Sequence, residues 1–215
     1  MQCVPRSRKK VLVAKNSASS QLGIDLDHLR SVLHARPLPT DFVAEEGLSN
    51  VVLTPAAVLF PIVLREPEPT VLLTRRTEHL KDHPGQISFP GGRVEVGDVS
   101  PAHTALRETE EEIGVPSSHI EVVGYLPDYL TVTGFRITPV VALVKPPFAL
   151  HPDPVEVAEV FEVPLAFLMD PANHQSHSAF FRGRMRPYLA MPYKDYFIWG
   201  ATAGIIETLA RVLTT

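Results

Sequence analysis

The stretch SPAHTALRETEEEIG (100–114) constrains the fold most, because it carries its own start and stop signals. Ser100 offers a side-chain acceptor at the N-cap, Pro101 suits the first helical residue, and Gly114 suits a left-handed exit. The spacing predicts one helix. On a wheel of about 100° per residue, Ala102, Leu106, Thr109 and Ile113 share an apolar arc. Glu108, Glu111 and Glu112 converge on the neighbouring arc, while Glu110 falls beyond the apolar arc near its solvent edge. Like charges at these spacings repel by about 0.2–0.5 kcal/mol per pair. Such a cluster either faces water, the commoner fate of a charge run, or is neutralised by a cation. Hard oxygen donors suit Mg2+ or Mn2+, which also take phosphate oxygens.

The rest of the chain supplies strands. AAVLFPIVL (56–64) and TVLLTRR (70–76) are apolar and β-branched, and the turn REPEP (65–69) joins them. GQISFPGG (85–92) reads as a strand running into a glycine turn. Residues 120–144 read as strands around a loop, and the proline-rich 145–154 as a stiff connection. Residues 157–171 read as a strand leading into a short helix started by Pro164. Residues 177–199 should hold an antiparallel pair turning at Gly183, and 200–213 a closing helix. Near the N-terminus, DLDHLRSVLHARP (25–37) has helical spacing and Pro37 to stop it. Strand runs mixed with a few helices imply an α/β or α+β layered domain, not a doubly wound parallel sheet.

Composition narrows the function classes. The 215 residues suffice for one good-sized core, and a net charge of −4 gives no general attraction to nucleic acid or anionic membranes. The single cysteine, Cys3, excludes an internal disulfide and a cysteine-based zinc site. The longest apolar run, Val51 to Leu64, is interrupted by Pro55 and Pro61 and is too short to cross a bilayer. The basic, acid-free start (1–21) reads as a tail, with a mitochondrial transit peptide as the alternative, so a cytoplasmic or matrix setting is expected.

Taken together, GGRVEVGDVSPAHTALRETEEEIGV (91–115) resembles the Nudix box. Gly92 opens it, and Arg107-Glu108-Thr109-Glu110-Glu111-Glu112-Ile113-Gly114-Val115 matches its second half, with Thr109 where an aliphatic is usual. Asp98 stands where the box has a glutamate, one residue further from Arg107. The preceding LLTRRTEHLKDHPGQISFPGG (72–92) is similar to the extra signature of the coenzyme A pyrophosphatase branch. Leu72, Leu73, Thr74, Arg76, Gly85 and Phe89 to Gly92 fit, while Thr77 and Lys81 replace the usual Ser/Ala and Arg.

The resemblance implies a Nudix fold, an α/β/α sandwich with a mixed central sheet, over 46–215, preceded by a tail and short helix over 1–45. It implies Mg2+- or Mn2+-dependent cleavage of a small-molecule pyrophosphate, coenzyme A or an acyl derivative, with no nucleic-acid or membrane partner and homodimerisation left open. Glu108, Glu111 and Glu112 would be catalytic metal ligands, with help from the Gly92 carbonyl, and Arg107 would pair with a glutamate to hold their geometry. Arg75, Arg76 and Lys81 are candidates for substrate phosphates, and Glu156 or Glu159 for the general base. Asp98 is expected to cap the turn before the helix. His79 and His83 are read as non-ligands, because imidazole suits softer metals. Phe180, Phe181, Tyr193, Tyr196, Phe197 and Trp199 are expected to pack in the core more readily than to stack on adenine. Two alternatives remain: a pyrophosphatase for another nucleoside diphosphate derivative, such as ADP-ribose or NADH, and a non-catalytic nucleotide-binding module.

Overall fold

A computed structural model describes residues 25–37, 42–44, 52–181 and 183–214, so the tail 1–21 and Cys3 lie outside the described residues. Strand β2 (Thr54–Val63) is the axis of the larger sheet. Along its full length it pairs in parallel with β8 (Phe135–Val144). Both strands are buried on two faces, which is why their sequences read as nearly continuous apolar runs. Beyond β8 lie β6 (Ile120–Tyr125) and β7 (Asp128–Leu130), both antiparallel to it, and β1 (Phe42–Ala44) pairs with β7.

The other edge of β2 is forked. Strand β3 (Thr70–Arg76) pairs with it only at Ile62–Val71 and Val63–Thr70 and then diverges, while its other edge pairs with β9 (Val157–Pro164) from Thr70 to Arg76. Residues 87–93 fill the fork. Strand β4 (Ile87–Ser88) joins β3, and β5 (Gly91–Arg93) joins β2 at Ala56–Val58. The Gly91–Gly92 pair, read as a turn from its composition, is therefore a hydrogen-bonded strand. Its pairing is fixed by β2, a partner distant in sequence, which outweighs the low strand preference of glycine.

Alternation along the central strands sorts the core into two layers. Ala57 and Leu59 of β2, with Val140 and Ala142 of β8, meet Ala105, Ala102 and Leu106 of α2 (Pro101–Ile113). Phe60, Ile62, Val71, Leu73 and Leu143 face the opposite way. They pack with α1 (Leu26–Val32), α3 (Leu165–Met169) and α4 (Gly200–Leu213) through Leu29, Leu168, Ile205, Ile206 and Leu209. The result is the expected α/β/α sandwich with a mixed sheet. Helix α1 stops well before Pro37, because Leu33 is already extended and His34 exchanges backbone hydrogen bonds with Tyr125.

Residues 175–199 form a separate sheet of three strands, one more than the hairpin expected: β10 (Gln175–Phe181), β11 (Arg184–Tyr193) and β12 (Tyr196–Trp199). Its inner residues Met191 and Ile198 are fully buried in the α4-side core. The aromatics expected to be buried divide. Phe180, Phe181, Phe197 and Trp199 are exposed, whereas Tyr196 stacks on Phe161 with ring centroids 3.7 Å apart.

The caps of α2 are as its sequence dictates. Ser100 Oγ accepts from the His103 N–H at 3.1 Å, and Gly114 exits at φ 72°. A Cβ at Gly114 would also lie 2.7 Å from the Cβ of His151. Gly114→Ala is therefore expected to lower stability by about 1–2 kcal/mol from the left-handed backbone alone, and by more from the collision. Chemical denaturation of the full chain checks this; an unchanged midpoint would show that the exit relaxes freely.

Candidate active site

Helix α2 lies across the fork and brings its acidic arc against β5. The approach is close enough to exclude a side chain: a Cβ on Gly92 would lie 2.4 Å from the Glu108 carboxylate. Glycine is thus required there by proximity. One turn further on, Glu112 is 5% exposed, and its Oε2 accepts from the Gly91 N–H at 3.3 Å. Glu111 stands at the outer edge with its side chain 59% exposed, and Glu110 is exposed on another face. The acidic arc therefore runs from interior to solvent.

Arg107 is the fixed point of this arrangement. Its Nε donates to Asp98 Oδ1 at 3.1 Å and its Nη2 to Asp98 Oδ2 at 3.0 Å, a two-pronged carboxylate contact. Its Nη1 lies 2.9 Å from both Glu108 Oε1 and Glu111 Oε2. The expected pairing of Arg107 with a glutamate is present twice, but the stronger anchor is Asp98. Asp98 also accepts from the Glu95 N–H and from Thr104 Oγ1, so it closes the turn as expected and serves as counter-ion besides. With its side chain 2% exposed, Asp98 is held far below the ordinary carboxylate range, chiefly by Arg107 and next by the Glu95 N–H.

Glu112 is shifted the opposite way. Burial pushes it up to about 8. The Gly91 N–H and Arg76 oppose the shift, while the nearby carboxylates of Glu156 and Glu108 add to it. Burial also raises Glu108, against the pull of Arg107. Arg76 at the end of β3 is 3.9 Å from Glu112 and 4.0 Å from Glu156, with its Nε buried and lacking a hydrogen-bond partner among the described residues. Arg75 points elsewhere and pairs with Glu159 at 2.7 Å, and Tyr196 Oη donates to the same carboxylate. Of the two candidate bases, Glu156 adds to the upward shift of both Glu108 and Glu112, whereas Glu159 is engaged by Arg75 and Tyr196. Lys81 lies in a cleft with Asp82 and Arg93. His83 Nδ1 is 2.9 Å from Gln86 Oε1, and His79 approaches Thr77.

The donor set fits a hard divalent cation. It offers carboxylates of graded exposure, one of them buried without adequate counter-charge, beside a glycine pair open to close approach. The carboxylates do not form a closed cage: among the described residues no group of three or more acidic, histidine or cysteine side chains is poised to enclose a metal. Glu108 and Glu111 instead turn onto Arg107.

A model of the NUDIX domain matches residues 53–182. The chain is 46% identical over 155 residues to an uncharacterized Nudix hydrolase, NudL, of Escherichia fergusonii, covering 72% of this chain and 80% of that protein. The NudL of Escherichia coli K12 is 45% identical over the same coverage. Among solved structures, a Nudix hydrolase from Alicyclobacillus acidocaldarius is 16% identical. That match covers 78% of this chain and 98% of the other, with a TM-score of 0.48. No helix among the described residues is long and apolar enough to cross a membrane.

The raised Glu112 carboxyl has a measurable consequence. Its proton is kept in the folded state up to about pH 8 but lost from an unfolded chain near its ordinary value of about 4.3. Between these values the folded state binds more protons, so this group's contribution to stability falls as pH rises. In metal-free protein, Glu112→Gln should therefore gain melting temperature relative to the parent as pH rises from 4.5 to 8, and the gain should level off above that. Parallel melting profiles across that range would contradict the desolvation of Glu112.

Proposed function

The chain belongs to the Nudix hydrolase family, and we propose that it cleaves the pyrophosphate of coenzyme A, and of its acyl forms, to 3′,5′-ADP and 4′-phosphopantetheine or the acyl equivalent. The observation that carries the reading is Glu112, a buried carboxylate raised to about 8, beside Glu108 and the paired glycines. Such a group is poised to ionise when positive charge arrives. Support for the coenzyme A branch comes from residues 72–92, which supply β3, β4 and β5. The residues that resemble the branch signature thus line the fork beside the glutamates.

Glu108 and Glu112, with Glu111 and the Gly92 carbonyl, would hold Mg2+ or Mn2+. When bound, the ion supplies charge neutralisation for the pyrophosphate and makes a water easier to ionise. The protein's own groups do the rest. Arg107, pinned by Asp98, keeps Glu108 and Glu111 within one geometry. Arg76, with an unpartnered Nε and a guanidinium shared between two carboxylates, is suited to a phosphate oxygen. Glu156 is the better candidate to take the proton of the attacking water, because Glu159 is already engaged by Arg75 and Tyr196. The chain from 46 to 215 is the catalytic unit in this reading, in a cytoplasmic setting.

The test is product analysis by chromatography and mass after incubation with coenzyme A and Mg2+, with ADP-ribose and NADH run in parallel. Release of 3′,5′-ADP is expected. Glu112→Gln should lower turnover at least about a hundredfold, the usual scale for removing a positioned acid–base or charge-stabilising group. Glu156→Gln should also slow turnover, and Glu159→Gln much less. Cleavage of ADP-ribose or NADH in place of coenzyme A would overturn the substrate. No cleavage by protein that still binds metal would favour a binding module.

A further inference from the structure

A second polar site adjoins the glutamate helix. It is a cleft of about 390 Å3 whose lining includes Lys81, Asp82, His83, Arg93, Thr133 and Phe135. Apart from Lys81, none of these residues has a part in the chemistry above. We propose that this cleft binds a phosphomonoester carried by the substrate, separate from the pyrophosphate that is cleaved. The inference deepens the reading proposed above and rests on it for the identity of the substrate.

Placement comes first. Successive residues of a strand face opposite sides. Gly92 faces Glu108, so its neighbour Arg93 projects away from the glutamates, about 3.3 Å further along β5. The cleft therefore lies next to the cluster but outside it. The two are tied together through the backbone, since the Arg93 carbonyl accepts from Arg107 Nη2 at 3.3 Å.

Chemistry comes second. Lys81 and Arg93 bring two positive charges against one carboxylate, Asp82. The Asp82–Arg93 contact is 4.0 Å long, and both side chains are mostly exposed, at 77% and 66%. Exposed pairs of this kind are weak, so a dianion can displace the carboxylate. The Arg93 guanidinium lies over the Phe135 ring, 5.6 Å from its centroid, which limits its freedom and presents its planar fork to a phosphate. Thr54 and Thr133 also line the cleft, the Thr133 hydroxyl paired with Thr131 Oγ1 at 2.9 Å. His83 holds the positive φ of 56°, unusual for a residue with a side chain, and Gln86 fixes its ring. Strain of this kind persists where the surroundings over-determine a position.

Coenzyme A carries a phosphate on its ribose in addition to the pyrophosphate, and ADP-ribose and NADH do not. The cleft would thus select among nucleoside diphosphate derivatives by that one group.

Calorimetric titration of the full chain with 3′,5′-ADP and with 5′-AMP tests this, because the two differ only in the extra phosphate. The bisphosphate should bind at least about tenfold more tightly, the scale of one charge-assisted contact. Arg93→Gln and Lys81→Gln should each shrink that ratio toward one. Equal binding by the parent protein would overturn the inference, as would a preference that survives both substitutions. The readout is independent of turnover. If the preference is found but coenzyme A is not cleaved, the cleft stands and the substrate falls. If coenzyme A is cleaved but the two ligands bind alike, the substrate stands and the cleft falls.

Discussion

The close approach of α2 to β5 is the constraint on which the site depends. Without a Cβ at Gly92, the Glu108 carboxylate sits where a side chain would be. The fork between β2 and β3 makes this possible, because it gives residues 87–93 room to enter the sheet and pair on both sides. Had β2 and β3 paired along their whole length, the glycine strand would have had no edge to join. The helix would then have rested on ordinary strand side chains, with its glutamates held away from the backbone.

Two carboxylates only a few turns apart show how environment sets their chemistry. Asp98 is surrounded by donors: Arg107 twice, the Glu95 N–H and Thr104 Oγ1. Its charge is fully met, so it stays ionised and structural. Glu112 has one long hydrogen bond and one arginine at 3.9 Å, with two more carboxylates nearby. Its charge would not be met, so it keeps its proton. The same functional group is held ionised in one place and protonated in the other, and hydrogen bonding against burial accounts for the difference.

Much of this was legible in the chain. Ser100, Pro101 and Gly114 delimit α2 by local chemistry alone, and the apolar stretches 56–64 and 70–76 locate β2 and β3, because buried strands announce themselves by composition. The convergence of Glu108, Glu111 and Glu112 follows from helical geometry. What escaped was set by distant partners. Gly91 and Gly92 carry no strand signal and pair only because β2 is there. Asp98 lies nine residues from Arg107, too far for a local rule to couple them. The exposure of Phe180, Phe181, Phe197 and Trp199 follows from β10–β12 forming a sheet of their own, with only one face on α4. A hairpin pattern does not specify which face that will be. Cys3 and the tail fall outside the described residues.

The arrangement is also costly in a way that points to its use. A helix with three convergent glutamates, one of them buried, would be more stable with glutamine at position 112 at neutral pH, since an amide need not take up a proton on folding. Local preference, capping and packing agree throughout α2 except at the acidic arc. Disagreement confined to one face of an otherwise consistent element is what a functional site produces. Arg76 makes the same case from the other side. Its buried Nε has no hydrogen-bond partner among the described residues, and its guanidinium is divided between Glu112 and Glu156 at the limit of contact. A cation so placed is too far to neutralise either acid well and too close to be indifferent to them. A desolvated acid on α2 that keeps its proton and an incompletely used cation on β3 therefore face each other across the fork. In the reading proposed above, a metal-bound pyrophosphate would meet both, its cation favouring the ionised acid and its oxygens the arginine.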